Sequence, residues 1–230
     1  MATANATSFE GFSPKMLKFL GQLKQNNTRE WFQKNRETYE TEVMEPSKAF
    51  VEAVGEKLPR ISADIRAEAK VNGSIRRINR DTRFSKDKTP YKNHLEFHFL
   101  QGEGKMRPGY YLAIKPDSLG IGAGMYCMKP VVESYREAVA DDQRGKMLAN
   151  AIKRASKNGY QVGGDQLKRV PRGYDAEHPR ANLLRHTGLY VAKDMPIPNE
   201  LHAASLVGLC IGEFKKLSPV VEWETMLLDG

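Results

Sequence analysis

Cysteine is nearly absent. Cys127 and Cys210 are the only two in 230 residues, far apart and outside any CxxC. Small secreted domains use many more, so a reducing cytoplasm is the simpler expectation. No apolar run approaches the roughly 18 residues needed to cross a bilayer. Residues 1–8 lack the charged-then-apolar layout of a secretory signal and read as a short disordered lead. There is no GxxxxGK[ST], and no GxGxxG follows a strand, so the two best-known phosphate cradles are missing. GxSxG is missing as well, and neither cysteine has a histidine near it in sequence, so nothing resembles an activated nucleophile. No Gly, Ser or Pro linker marks a boundary and no repeat is evident, which favours a single domain over residues 9–230.

What the chain has is positive charge in one place. Lys plus Arg number 36 against 28 for Asp plus Glu, a net +8. In Ser74–Asn93, Arg76, Arg77, Arg80, Arg83, Lys86, Lys88 and Lys92 give seven positive charges, and Asp81 and Asp87 remove two, leaving +5. Ile75, Ile78 and Phe84 are interspersed, and Lys88-Thr89-Pro90-Tyr91 reads as a turn or extended corner, since Pro90 steers Thr89 away from helix. A solvated basic tail needs neither apolar residues nor acidic partners. The stretch therefore reads as a structured anion site or as a surface strand and loop laced with ion pairs.

Periodicity gives the elements around it. Ser13-Pro14 starts a helix, with Met16, Leu17, Leu20 and Leu23 at helical spacing. Asn27 suits the cap of the next, and a long helix runs on toward Leu58, kinked or split at Pro46. Leu95, Phe97 and Phe99 alternate with His94, Glu96 and His98 as in a half-buried strand, and residues 109–115 and 119–125 continue an antiparallel meander. Helices follow from Pro130 to Asn158-Gly159, with a break at Asp141-Asp142. A strand over Leu189–Met195 precedes a last helix from Asn199 that Pro219 should break. Helices flanking a block of strands, without βαβ rhythm, indicate an α+β fold: a central, mostly antiparallel sheet with N- and C-terminal helices.

Arg80-Asp81-Thr82-Arg83-Phe84-Ser85-Lys86-Asp87-Lys88-Thr89-Pro90-Tyr91-Lys92 resembles the signature of the family catalogued as domain of unknown function 2461. Asn26-Asn27-Thr28-Arg29-Glu30-Trp31-Phe32 matches it too, as do Lys168–Asp175 and His178-Pro179. The resemblance takes in nearly the whole chain from about Phe12 onward. It implies a family and no chemistry, so any function comes from the residues.

Arg80 and Arg83 can present planar forks to an anion, Lys86, Lys88 and Lys92 act as mobile charges, Asp81 orients the arginines and Tyr91 offers a hydroxyl. Pro171-Arg172-Gly173 places Arg172 on a turn beside Tyr174, and Asp175 and His178 are the acid/base candidates; a surface loop whose Asp175 or Glu177 caps the next helix is the simpler account of them. Arg29, in a helix's first turn, opposes the helix dipole and hints at an outside partner. His94, Glu96 and His98 share a strand face, but all three reaching one ion needs a bend, so they read as a polar sheet face and no metal is assigned. The expectation is a side-chain-built site for a phosphate- or carboxylate-bearing small molecule, with no reaction or cofactor assigned and no membrane partner. The alternative is nucleic-acid binding through Arg76–Lys92, with aromatics among the cations.

Overall fold

The computed structural model describes residues 8–104 and 106–228. Apart from Ser8, the expected N-terminal lead lies outside the described residues. The fold is α+β with a five-stranded antiparallel sheet. Among the described residues, no helix is long and apolar enough to cross a membrane.

The first helix, α1 (Pro14–Gln25), starts where Ser13-Pro14 predicts, but the Ser13 hydroxyl donates to Glu42 at 2.7 Å and caps nothing. Its buried side is Met16, Phe19, Leu20 and Leu23. The next, α2 (Arg29–Lys34), is capped by Thr28, whose hydroxyl accepts the Trp31 N–H at 3.2 Å; Asn27 is committed elsewhere. After α3 (Arg36–Tyr39) the chain makes a single wide π turn, Glu40–Met44, and enters α4 (Glu45–Gly55) with Pro46 in its first turn. Proline lacks an N–H and crowds the carbonyl four residues back, so the predicted split takes the form of this wider turn.

The strands are β1 (Leu95–Leu100), β2 (Gly109–Ile114) and β3 (Ser118–Met125). Helices α5 (Val132–Ala140) and α6 (Asp142–Lys157) follow, α6 capped by Asp141, which accepts from the Gln143 and Arg144 N–H groups. Then come β4 (Gln161–Gly163), α7 (Ala181–Leu184), β5 (Leu189–Pro196) and α8 (Ser205–Thr225). The sheet order is β1-β2-β3-β5-β4. Pro219 lies inside α8 and does not end it. Val220, Val221 and Trp223 beyond it are buried, and burying them outweighs the lost hydrogen bond.

The chain clusters into two compact units. One comprises the chain up to Phe99 with Tyr111–Gly120 and Asp194–Gly212; the other comprises Leu100–Tyr110, Ile121–Lys193 and the chain from Glu213. The core of the first is aromatic: the Phe9 and Phe50 rings lie 5.2 Å apart and Phe50 meets Phe97 at 4.9 Å. In the second, Tyr135 packs edge-on against Trp223 at 5.8 Å and its hydroxyl donates to the Leu183 carbonyl at 2.8 Å.

A cationic cleft in the first unit

The basic stretch is tied down at both ends. Residues 74–76 lie along β1, the Arg76 N–H donating to the Glu96 carbonyl and the His98 N–H to the Ser74 carbonyl. Further on, residues 78–80 pair with 90–92: the Arg80 N–H donates to the Pro90 carbonyl at 2.9 Å and the Lys92 N–H to the Ile78 carbonyl at 2.8 Å. This short ladder closes a loop over residues 81–89. Ile75 and Ile78 are buried beneath it, as the stretch's mixed composition suggests, but Phe84 is 95% exposed at the loop tip.

Two contacts dock this hairpin on α2. The Asn27 carboxamide grips the Tyr91 backbone from both sides, donating to its carbonyl at 2.9 Å and accepting its N–H at 3.0 Å. The Tyr91 ring stacks on Phe32, with centroids 4.2 Å apart and planes 17° apart. Tyr91 is buried, so its part here is to fix the hairpin by its backbone and ring. Two segments more than sixty residues apart are thereby brought together.

Between them lies a cleft of about 410 Å³. Asn27, Thr28, Arg29 and Glu30 line one part of it. Asn79, Arg80, Thr82, Lys88 and Pro90 line the rest. Three lining residues are cationic and one is a carboxylate. Glu30 is held below the usual carboxylate range by its own backbone N–H and by the Thr28 hydroxyl, so it is ionised at neutral pH. Arg29 makes no ion pair or side-chain hydrogen bond among the described residues.

The loop's own acids hold most of its cations. Arg80 Nη1 donates to Asp87 and to the Thr89 hydroxyl, leaving Nε and Nη2 without a protein partner among the described residues. Asp87 is drawn down to about 2 by the Thr89 N–H and by Arg80. Asp81 takes Arg83 through two oxygens, at 3.0 Å from Nε and 2.7 Å from Nη2, which holds its carboxyl well below the usual range. Lys88 Nζ donates to the Thr82 carbonyl at 2.8 Å. Lys92 pairs with Glu96, which also meets His94 Nε2 at 3.1 Å. Burial would raise Glu96, but the hydrogen bonds from His94 and Lys92 outweigh it and bring it to about 2. Lys86, Arg76 and Arg77 are exposed and make no ion pair among the described residues.

Of the residues singled out from sequence, Arg29, Arg80 and Lys88 line the cleft; Asp81, Arg83 and Lys86 belong to the loop above its feet. Arg172, Tyr174, Asp175 and His178 lie in the second unit. There Arg172 is exposed at a turn closed by the Tyr174 N–H on the Pro171 carbonyl, with Gly173 at φ +90°. Asp175 accepts the Glu177 N–H at 2.9 Å and His178 Nδ1 accepts the Arg180 N–H at 3.0 Å. The neighbour that sequence reading passed over is Arg180. Its guanidinium donates to the Val139 carbonyl at 2.7 Å and to those of Ala140 and Asp141 at 3.1 Å, closing the C-terminus of α5. Among the described residues, no group of three or more His, Cys, Asp or Glu could hold a metal ion.

Asn27, Thr28, Glu30 and Asn79 in the cleft were not among the site candidates; Arg29's unfavourable place in its helix and the family-like segment Asn26–Phe32 were the sequence signals for that wall. Residues 15–223 match the family model described as conserved hypothetical protein (DUF2461). No curated protein matches the chain.

Proposed function

We propose that this chain, which belongs to the DUF2461 family, binds a small phosphate- or carboxylate-bearing molecule in the cleft of its first unit. One observation carries the reading: Arg29, Arg80 and Lys88 converge on one concavity, with Glu30 the single opposing carboxylate. Among the described residues, Arg29 and two nitrogens of Arg80 have no protein acceptor, and an anion supplies one. A charge-assisted hydrogen bond is roughly twice as strong as a neutral one, and guanidinium forks match carboxylate and phosphate oxygens. The hairpin holds Arg80 and Lys88 before ligand arrives, which lowers the ordering cost of binding at those two groups.

The test is isothermal titration with inorganic phosphate, phosphorylated metabolites and dicarboxylates at low and high salt. Arg29→Ala, at an exposed position, leaves the melting temperature unchanged and weakens binding roughly tenfold or more, the scale of a lost hydrogen bond to a charged group. Unchanged affinity in that variant sinks the reading. A second reading, single-stranded nucleic acid, has its own support in the exposed Arg76, Arg77 and Lys86 and the exposed ring of Phe84. It predicts affinity falling steeply with salt, where one bound small anion gives a shallow slope.

A further inference from the structure

Phe84 has no structural reason to be where it is. Its ring is 95% exposed, whereas burying a phenylalanine is worth about 1.5–3 kcal/mol. The loop that carries it is nonetheless well anchored. The Ser85 N–H turns back to the Thr82 carbonyl, Lys88 Nζ donates to the same carbonyl at 2.8 Å, and Arg80 holds Asp87 and Thr89. Arg83, fixed by Asp81, sets its guanidinium 5.7 Å from the Phe84 ring centroid. The result is a presented aromatic platform, backed by a cation and otherwise open.

The platform stands next to the cleft. Thr82 and Lys88, the two feet of the loop tip, are both cleft-lining residues. Phe84 is two residues from Thr82, so their Cα atoms lie within about 7.6 Å. Asn79 and Thr82 also line the cleft; their side chains have no protein partner among the described residues and offer hydroxyl-binding donors and acceptors.

We infer that the cleft's ligand is a nucleotide: phosphate on Arg29 and Arg80, sugar hydroxyls against Asn79 and Thr82, base stacked on Phe84. This rests on the anion-site reading and names its ligand class. A single nucleotide fits better than a strand because the cleft's unengaged guanidinium donors among the described residues are Arg29 and the Nε and Nη2 of Arg80, enough for one phosphate, while Arg83 is taken up by Asp81 and Lys88 by the Thr82 carbonyl. Stacking is tolerant of base identity, since every base has a π-face.

The experiment is calorimetric titration of the full chain with AMP, ribose 5-phosphate, inorganic phosphate and a short single-stranded oligonucleotide, repeated on Phe84→Ala and Arg29→Ala. Base stacking on an aromatic is worth ~1–3 kcal/mol, so AMP binds roughly 5- to 150-fold tighter than ribose 5-phosphate. Phe84→Ala, which removes an exposed ring, keeps the melting temperature and erases that preference while ribose 5-phosphate binds as before. Equal affinities for AMP and ribose 5-phosphate, or a preference that survives Phe84→Ala, overturn the nucleotide inference and leave the anion site standing. Binding of the oligonucleotide alone overturns it in favour of a strand. If no phosphate compound binds, the nucleotide inference is overturned, and the anion site falls with it when the dicarboxylates fail to bind as well.

Discussion

Replacing Asn27 by alanine severs the clamp that brings the two walls of the cleft together. The Asn27 side chain makes two hydrogen bonds of 2.9 and 3.0 Å to the backbone of Tyr91, both part-buried. In Asn27→Ala the Tyr91 N–H and carbonyl lose their partner, and a buried polar group left unsatisfied costs about 1–3 kcal/mol. Incomplete burial trims this, and two such groups together give about 2–4 kcal/mol. For a chain of this size that lowers the melting temperature by roughly 4–16 °C. Asn27→Asp keeps the acceptor for the N–H but sets a carboxylate against a carbonyl, so it loses about as much and adds a negative charge to the cleft. Circular-dichroism melts measure the effect, and phosphate titration reads the parallel loss of binding. A melting point for Asn27→Ala within about 1 °C of the parent refutes the clamp.

Three further perturbations test the rest of the molecule. In Gly145→Ala the new Cβ would sit 2.2 Å from the Val139 carbonyl and 2.4 Å from Arg180 Nε, so the variant is destabilised by about 2 kcal/mol or more in urea unfolding; a neutral result disproves the close packing of α6 on the arginine cap. His98 is held down to about 4 by burial and by Arg76. Between pH 4 and 6.5 the unfolded chain binds its proton and the folded one does not, so stability climbs with pH across that window by up to about 3 kcal/mol. His98→Gln flattens the climb, and an unchanged pH profile counts against it. Glu224 is fully buried; burial pushes its carboxyl well above the usual range, and the Met125 N–H opposes this without closing a hydrogen bond. The folded state then keeps a proton that the unfolded chain releases above pH 4.5, so stability falls as pH rises. Glu224→Leu raises stability by about 1–3 kcal/mol at neutral pH and removes that slope, whereas a lower melting point shows that the carboxyl has a partner.

The elements were legible where their causes are local. Ser13-Pro14 starts a helix, Asp141-Asp142 breaks one, Asn158-Gly159 stops one, and the alternation through Leu95, Phe97 and Phe99 marks a strand; each acts within a few residues. Errors arose where a distant partner decided the outcome. Asn27 looked like a helix cap, but its carboxamide is spent on Tyr91, and Thr28 takes the cap. Ile75, Ile78 and Phe84 read alike as apolar residues of a structured stretch, yet the ladder closes below the loop, burying the two isoleucines and leaving Phe84 exposed. Composition located the positive charge correctly but could not say that Asp81 and Asp87 already hold much of it. The wall from Asn27 to Glu30 was visible as a family-like segment and an arginine misplaced in its helix, but not as a wall, because facing the basic loop is a property of the fold.

The most direct measurement is a two-dimensional NMR titration of the nitrogen-15-labelled chain with inorganic phosphate, following backbone and arginine side-chain signals. The account predicts saturable shifts concentrated at Asn27–Glu30, Asn79–Thr82 and Lys88, with Arg29 and Arg80 side chains among the largest, and their loss in Arg29→Ala. Shifts that spread over the surface without saturating, or that saturate elsewhere while these residues stay still, would contradict it.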